Sequence, residues 1–363
     1  MVASINKSKK VVIIHDWLVG GGAEKVVEEL HKLYPDAPIY TAYCNEEWQK
    51  RLDNKIITGY LQSWPFSKLR KYLPILMSNW FRSLNLEEFD TIIVSSGNGA
   101  ANHIKKPTGS KMVFYCHTPT HYLWDKHKEY IENPGFGIFN PLVRFGLKAF
   151  LKPLKQRDLK GASQSDLIIA NSTHTKQQIK KYYKKDSLVI FPPVDTKRFK
   201  SMKEVDRKGF VVVGRQVPYK KINIAVEACT ELGLHLTVIG NGPENISLRS
   251  IAGPTVNFLT NASDQEVVKA LQESEGFIFT SKEDFGIAPV EALAAGCPVI
   301  AYKAGGALDY VIPGKTGQFF ESQTTKSLIK VLKNYKTKPV LKLPYNFEPG
   351  RFKTEFKKQL EIL

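Results

Sequence analysis

Three short stretches of this 363-residue chain carry groups suited to holding an anion or a polyol. The densest is Glu283-Asp-Phe-Gly-Ile-Ala-Pro-Val-Glu291. Pro289 fits the first turn of a helix and Gly296 its end, which predicts Glu291 in that first turn and Glu283 in the loop before it. The amides around Gly286 and Ile287 can then hold a phosphate, leaving two carboxylates to accept hydrogen bonds from sugar hydroxyls. The plainer reading makes Glu291 a stabiliser of the helix start and Glu283 a surface residue; the pair with Gly286 between them favours the first. In the second stretch, Val213-Gly-Arg215-Gln-Val-Pro-Tyr-Lys220-Lys221, a guanidinium fork and an ammonium stand five residues apart and can clamp a diphosphate. Its bland alternative is a solvated basic loop. The third, Gly20-Gly-Gly22-Ala-Glu24, is a glycine turn before a helix. Lys25 stands where a GxGxxG fingerprint needs glycine, and no P-loop Lys-Ser/Thr follows, so an anion-binding turn and an unliganded one both stay open. His117, just past an apolar run, is a candidate ligand contact, although a lone histidine is more often structural.

The elements that must position these groups alternate. Lys10–His15, Thr91–Ser95, Lys111–Cys116 and Asp166–Ala170 read as short buried strands separated by helical stretches, one of them running from Ala23 through Val26, Val27 and Leu30. Leu188–Val194 ends in a Pro-Pro pair, and the pattern restarts. Gly209–Val213, Leu236–Ile239, Phe277–Thr280 and Pro298–Ala301 are strands, and Ile222–Glu231 is a helix. The expected class is α/β, with two Rossmann-like doubly wound domains facing a central cleft. The expected boundaries are 1–192, 193–345 and a C-terminal segment, 346–363, that crosses back to the first domain. Ligands of such sheets bind at the carboxyl ends of the strands, where all three stretches fall.

Composition narrows the partners. With 42% hydrophobic and 24% charged residues, wholesale disorder is excluded. The 52 Lys+Arg against 35 Asp+Glu leave +17, which calls for a polyanion. Residues 101–192 hold 16 basic and 6 acidic side chains, the densest excess. Within them, Phe136–Lys160 mixes Phe139, Phe145, Phe150 and Leu154 with Arg144, Lys152, Lys155 and Arg157. That pattern suits an anionic membrane interface or, equally, a core-facing helix with solvated lysines. Ser63-Trp-Pro-Phe66 with Lys68, Arg70 and Lys71 is a second candidate surface. Cys44, Cys116, Cys229 and Cys297 lie far apart with no CxxC, which suits a reducing cytoplasm. The apolar run at Val11–Ile14 is too short for a signal-peptide core, and no stretch reaches the ~20 apolar residues of a membrane span. The expected location is the cytoplasm, peripheral on the inner face of the cytoplasmic membrane. Nothing resembles a recognition helix, an RNP pattern or a zinc finger, so no nucleic-acid partner is expected.

The chain resembles the family 4 retaining glycosyltransferases of GT-B fold, most closely the mannosyltransferases of bacterial O-antigen and lipopolysaccharide assembly. The likeness runs through His15-Asp-Trp17, Gly20–Glu24, Ser95-Ser96, His117-Thr-Pro119, Tyr122-Leu-Trp124-Asp125, Pro192–Asp195, Gly214-Arg215 with Lys220, Gly240–Pro243, Glu283–Glu291 and Gly305-Gly306. It implies that Arg215 and Lys220 neutralise the donor diphosphate, with Gly21, Gly22, Gly286, Ile287 and Ala288 at the same donor. It implies Glu283 on the transferred sugar, Glu291 on the ribose, Gly242 beside the base, and His117 on the donor sugar. Asp16, Asn98, Tyr122 and Trp124 would lie on the acceptor side. The substrates implied are a nucleotide sugar, with GDP-mannose the best single choice, and a lipid-linked saccharide. No Asp-x-Asp occurs, and a cationic clamp can replace a metal, so no cofactor and no divalent ion is expected. No carboxylate presents itself as a nucleophile, which favours front-face substitution over double displacement. A nucleotide-sugar epimerase or a phosphorylase would share the fold and part of the clamp. A basic binding protein without catalysis would share the charge.

Overall fold

The computed structural model describes residues 10–363 except 54, 71–72, 98, 126, 128–131, 133–139, 201–205, 337 and 341. It divides into two compact units. One runs to Pro193 and takes in Phe352–Leu363; the other is Val194–Arg351.

The first unit is built on seven parallel strands: β1 (Val11–His15), β2 (Ile39–Thr41), β3 (Ile56–Thr58), β4 (Thr91–Ser96), β5 (Lys111–Cys116), β6 (Leu167–Ala170) and β7 (Leu188–Val189). Their order is β3-β2-β1-β4-β5-β6-β7. Helices cover both faces, so the central strands are continuous apolar runs; all six residues of β4 are buried. The apolar side of the Gly22–Leu33 helix, Val26, Val27 and Leu30, is fully buried beside Ile13 and Ile93. The C-terminal helix, Pro349–Ile362, opens on a proline, whose missing N–H costs nothing at a helix start. One turn apart, its Phe352 and Phe356 are buried in this unit's core, with Phe352 edge-on to Tyr115.

The second unit repeats the scheme with six parallel strands: β8 (Phe210–Val213), β9 (Leu236–Ile239), β10 (Val256–Leu259), β11 (Gly276–Phe279), β12 (Val299–Tyr302) and β13 (Gly317–Phe320). Their order is β10-β9-β8-β11-β12-β13. The order reverses between β1 and β4 in one sheet and between β8 and β11 in the other. At such switch points the connections leave to opposite faces and open a crevice at the strands' carboxyl ends.

Several elements differ from the sequence reading. β2 and β3 are three residues each, too short to show a period; β2 pairs on the edge that β1 supplies, and β3 on β2. β7 stops at Val189 before the Pro192-Pro193 pair, which has no N–H to extend a ladder. Of the basic segment 136–160, residues 136–139 lie outside the described residues, and the rest belongs to one helix, Asn140–Ser163. Leu154, Asp158 and Ala162, four residues apart, are buried, whereas Phe145 and Phe150 are 74% and 46% exposed. The segment thus packs through its C-terminal half and leaves aromatic rings to solvent in its N-terminal half. In the second basic surface Trp64 is 76% exposed, and Lys71 lies outside the described residues. Among the described residues no helix is long and apolar enough to cross a membrane.

Candidate functional site

In the second unit, the loops after β8 and β11 meet. Lys220 ends a short 3-10 turn, Pro218–Lys220, and its Nζ forms an ion pair with Glu283 Oε1. Ser281 Oγ donates to the same oxygen at 2.8 Å, and Thr280 Oγ1 donates to the Lys220 carbonyl at 2.7 Å. The two charged side chains are 19% and 21% exposed, shielded enough to strengthen their attraction yet open to a ligand. Arg215 is exposed, its Nη2 donating to Tyr219 Oη at 3.2 Å. Lys221 takes φ 52°, a left-handed backbone that turns the chain into the Ile222–Leu232 helix, so Lys220 and not Lys221 meets Glu283.

The Glu283 backbone is fixed from behind. The Gly306 N–H donates to its carbonyl at 2.8 Å, and a Cβ on Gly305 would lie 2.2 Å from that oxygen. Only glycine permits this approach, at φ +68°. Tyr310, fully buried, donates to the Phe285 carbonyl at 2.7 Å; burial, with the nearby charge of Glu283, raises its phenol well above the usual value. Gly286 is the N-cap of the Ile287–Ala294 helix. Pro289 falls at its third residue and Glu291 at its fifth, so Glu291 is one turn deeper than the sequence placed it, and half-buried. Gly286, Ile287 and Ala288 form the helix start, whose amides are directed out of the helix along its positive dipole.

Gln216, a residue the sequence reading passed over, joins this loop to the next. It is fully buried; its Nε2 donates to the Gly240 carbonyl at 2.7 Å and its Oε1 accepts from Asn245 Nδ2 at 2.7 Å. The Gln216 backbone bonds to Asn241, and a Cβ on Gly242 would lie 2.3 Å from its carbonyl oxygen. The only sequence signal was a polar residue lodged between Arg215 and Pro218.

The switch point of the first unit is organised differently. Asp16, directly after β1, is 4% exposed, and its carboxylate accepts five hydrogen bonds. The donors are the amides of Gly97 (2.8 Å), Gly99 (3.2 Å) and Ala101 (2.9 Å) and Ser96 Oγ at both oxygens. The Asp16 carboxylate thus shapes the loop after β4. Asn98, in that same loop, lies outside the described residues. Beside it runs a chain of three polar groups. His15 Nδ1 donates to the Ser95 carbonyl at 2.8 Å, and Ser95 Oγ is 2.8 Å from His117 Nε2. Half-buried against Tyr115, His117 has its pKa lowered to about 3, by burial first and then by the charge of His15. It is a neutral imidazole whose Nε2 is engaged by Ser95.

Trp124 is also turned to structure. Its Nε1 donates to Asp158, the ring stacks on Tyr182 with centroids 5.3 Å apart, and it packs on the core. Asp158, fully buried on the Asn140–Ser163 helix, also accepts from Asn102 Nδ2 and Tyr183 Oη. The one donor of Trp124 is thus engaged by a buried carboxylate. Tyr122 sits half-buried in the same turn. In the glycine turn, Glu24 reaches back to the amides of Gly20 (3.1 Å) and Val19 (3.4 Å), leaving Gly21 exposed and Gly22 half-buried at the helix start. All four cysteines are free and buried, and burial pushes Cys44 up to about 11 and Cys229 and Cys297 up to about 12. Among the described residues no three His, Cys, Asp or Glu side chains gather to hold a metal ion.

Two family models match the chain in tandem. The Glycosyltransferase Family 4 model matches residues 20–198, and the Glycosyl transferases group 1 model matches residues 193–348. Among curated proteins, the alpha-1,3/1,6-mannosyltransferase ALG2 of Kluyveromyces lactis is 26% identical, over 84% of this chain and 71% of its own. That of Dictyostelium discoideum is 24% identical, over 86% of each. Among solved structures, Anabaena HepE in complex with UDP superimposes with a TM-score of 0.71 at 17% identity, covering 98% of this chain and all of that one. Sucrose-phosphate synthase from Thermosynechococcus elongatus does so with a TM-score of 0.64 at 15% identity, over 97% and 95%. The fold is that of the GT-B glycosyltransferases, two Rossmann-like units in one chain.

Proposed function

The chain belongs to the glycosyltransferases that join a Family 4 domain to a group 1 domain, and we propose that it moves mannose, with retention, from GDP-mannose to a lipid-linked saccharide. One observation carries the donor half: the Lys220–Glu283 pair beside the helix start at Gly286, at the switch point of the second sheet. An ammonium and a row of amides suit a diphosphate, and a carboxylate held by Ser281 suits sugar hydroxyls. Likeness to mannosyltransferases over more than four-fifths of the chain supports the choice of mannose. The UDP bound by a protein of the same fold supports a nucleotide sugar.

In this reading Lys220 leaves Glu283 for the donor diphosphate when the substrate arrives, and the exposed Arg215 closes on the same group. Glu283 turns to the hydroxyls of the transferred sugar. Glu291 takes the ribose, and the Gly242 loop, held by Gln216, flanks the base. Within the first unit, Gly21, Gly22 and neutral His117 are the candidates for the donor, and Tyr122 for the acceptor. As the bond from the anomeric carbon to the phosphate oxygen breaks, positive charge at Lys220 and Arg215 stabilises the departing diphosphate. The acceptor oxygen bonds to the anomeric carbon on the face the phosphate leaves, and the acceptor proton passes to a diphosphate oxygen. No covalent sugar–enzyme intermediate and no divalent metal is required. The acceptor belongs to surface polysaccharide or lipopolysaccharide assembly on the inner face of the membrane. The exposed Phe145 and Phe150 among basic residues suit contact with an anionic surface.

Nucleoside diphosphate release from GDP-mannose, with and without a lipid-linked acceptor, tests the proposal. Release that needs the acceptor and persists in chelator is expected, and Lys220→Ala should lower kcat by about 10²–10³. Isomerised donor without acceptor would mean an epimerase, and a trapped glycosyl-enzyme would overturn the front-face route.

A further inference from the structure

One segment of the first unit turns large apolar side chains to solvent while its backbone is pinned from behind. It runs from β3, the edge strand of the sheet, through the short Phe66–Leu69 helix. Ile57, Tyr60, Trp64, Phe66 and Leu69 are between 36% and 76% exposed, Trp64 the most. Leu61 between them is fully buried, and Gln62 exchanges two hydrogen bonds of 2.9 Å with the Cys44 backbone. A Cβ on Gly59 would lie 1.8 Å from Trp80 Nε1, so this stretch lies directly against the core. Tyr60 and Phe66 meet edge-on with ring centroids 6.1 Å apart, and Leu69 shares a helix face with Phe66, which makes the apolar groups contiguous. Single exposed apolar residues are ordinary; five within residues 57–69 form a patch for a partner to cover.

The surrounding charge selects the partner. Residues 54–86 carry Lys55, Lys68, Arg70, Lys71 and Arg82 and no Asp or Glu. The Asn140–Ser163 helix adds six basic residues and a single acid, Asp158, which is fully buried. The Pro74–Ser83 helix joins the two regions: Tyr60 Oη donates to the Leu76 carbonyl at 2.5 Å, and Arg157 Nη1 to Ser78 Oγ at 2.9 Å and Asn79 Oδ1 at 2.8 Å. A second copy of the chain would bring the same positive charge against itself, so the patch does not suit a symmetric dimer. Aromatic rings among cations, with no acid between them, suit the interface of an anionic bilayer. We propose that Tyr60–Leu69 is a wedge that enters such a bilayer, with Trp64, Phe66 and Leu69 below the headgroups and Lys55 and Lys68 at the lipid phosphates. This deepens the reading in which a lipid carries the acceptor and rests on it, naming the part of the chain that enters the membrane. None of these residues belongs to the proposed transfer machinery.

The test uses the full chain without donor or acceptor, sedimented with phosphatidylcholine vesicles with and without phosphatidylglycerol. Wild type should bind the phosphatidylglycerol vesicles, and brominated acyl chains should quench its tryptophan fluorescence. Trp64→Phe should keep the binding and lose most of the quenching. Trp64→Ser/Leu69→Ser should bind about tenfold more weakly than wild type. Three results would overturn the proposal. One is wild type that ignores the anionic vesicles or binds them unquenched. Another is full binding by Trp64→Ser/Leu69→Ser with loss confined to Phe145→Ser/Phe150→Ser, which would assign the contact to the Asn140–Ser163 helix alone. The third is a dimer in sedimentation velocity that Trp64→Ser/Leu69→Ser abolishes, which would give the patch to a second copy. Acceptor-dependent nucleoside diphosphate release, measured in detergent, reads the transfer reaction separately. Release without vesicle binding sinks the wedge alone, and vesicle binding without release sinks the transfer reading alone. Thermal melts confirm that each variant is folded.

Discussion

The two switch points have the same topology and opposite electrostatic habits. In the second unit, Lys220 and Glu283 neutralise one another while both remain about one-fifth exposed, and Arg215 stands in solvent. In the first, Asp16 and Asp158 are buried and saturated with donors, and His117 is held neutral. One unit keeps charges that a ligand can exchange; the other has committed its charges to holding loops. A buried carboxylate with several donors is a structural device, since removing it strands each donor. A partly exposed ion pair contributes little to stability and can be opened by a competing anion.

That contrast can be broken by substitution. The largest effect is expected at Asp16. Asp16→Ala strands three backbone amides and the Ser96 hydroxyl, and should cost about 3–5 kcal/mol of first-unit stability in chemical denaturation. Lys220→Ala should leave the melting temperature within a degree or two while removing activity. If the two costs in stability were equal, the distinction between the units would fail.

Next comes Gly305→Ala, which drives a Cβ into the Glu283 carbonyl at a positive φ. It should cost about 2–3 kcal/mol and displace Glu283 from Lys220, lowering the melting temperature and donor affinity together. Loss of stability with unchanged donor affinity would show that the Gly305-Gly306 support does not position Glu283.

The smallest effect at neutral pH is that of His117, which grows only as the solution is acidified. The folded pKa of His117, about 3, lies below the unfolded value of 6.5, so the unfolded chain binds the extra proton between them. Stability from this residue is therefore complete above about pH 6.5 and declines as pH falls towards 3, by about 1.4 kcal/mol per pH unit. In urea titrations, His117→Gln should flatten the acid slope by one proton; an unchanged slope would mean that the imidazole is not desolvated.

Much of the fold was legible because parallel strands buried on both faces write themselves as apolar runs, as in Thr91–Ser96 and Phe210–Val213. The three-residue strands β2 and β3 were not legible, since the edges they pair on, β1 for β2 and β2 for β3, lie outside their own sequence. Of the site, Arg215, Lys220, Glu283 and Gly286 could be named from residue type and spacing around strand ends. Glu291 was placed a turn too early, because Pro289 is compatible with any position in the first turn and fixes none of them.

The sequence by itself determined the α/β class and two runs of the strand–helix pattern, and it singled out the charged loops at 213–221 and 283–291. Only the tertiary structure decided which polar groups are available. The partners of Asp16 and Trp124, the donors of the 96–101 loop and the Asp158 carboxylate, are seen only in the fold. Gln216 reads as filler until its amide is seen joining two loops. The reason is physical: a side chain's chemistry is local, but its satisfaction depends on partners tens of residues away, which only folding brings within hydrogen-bond distance.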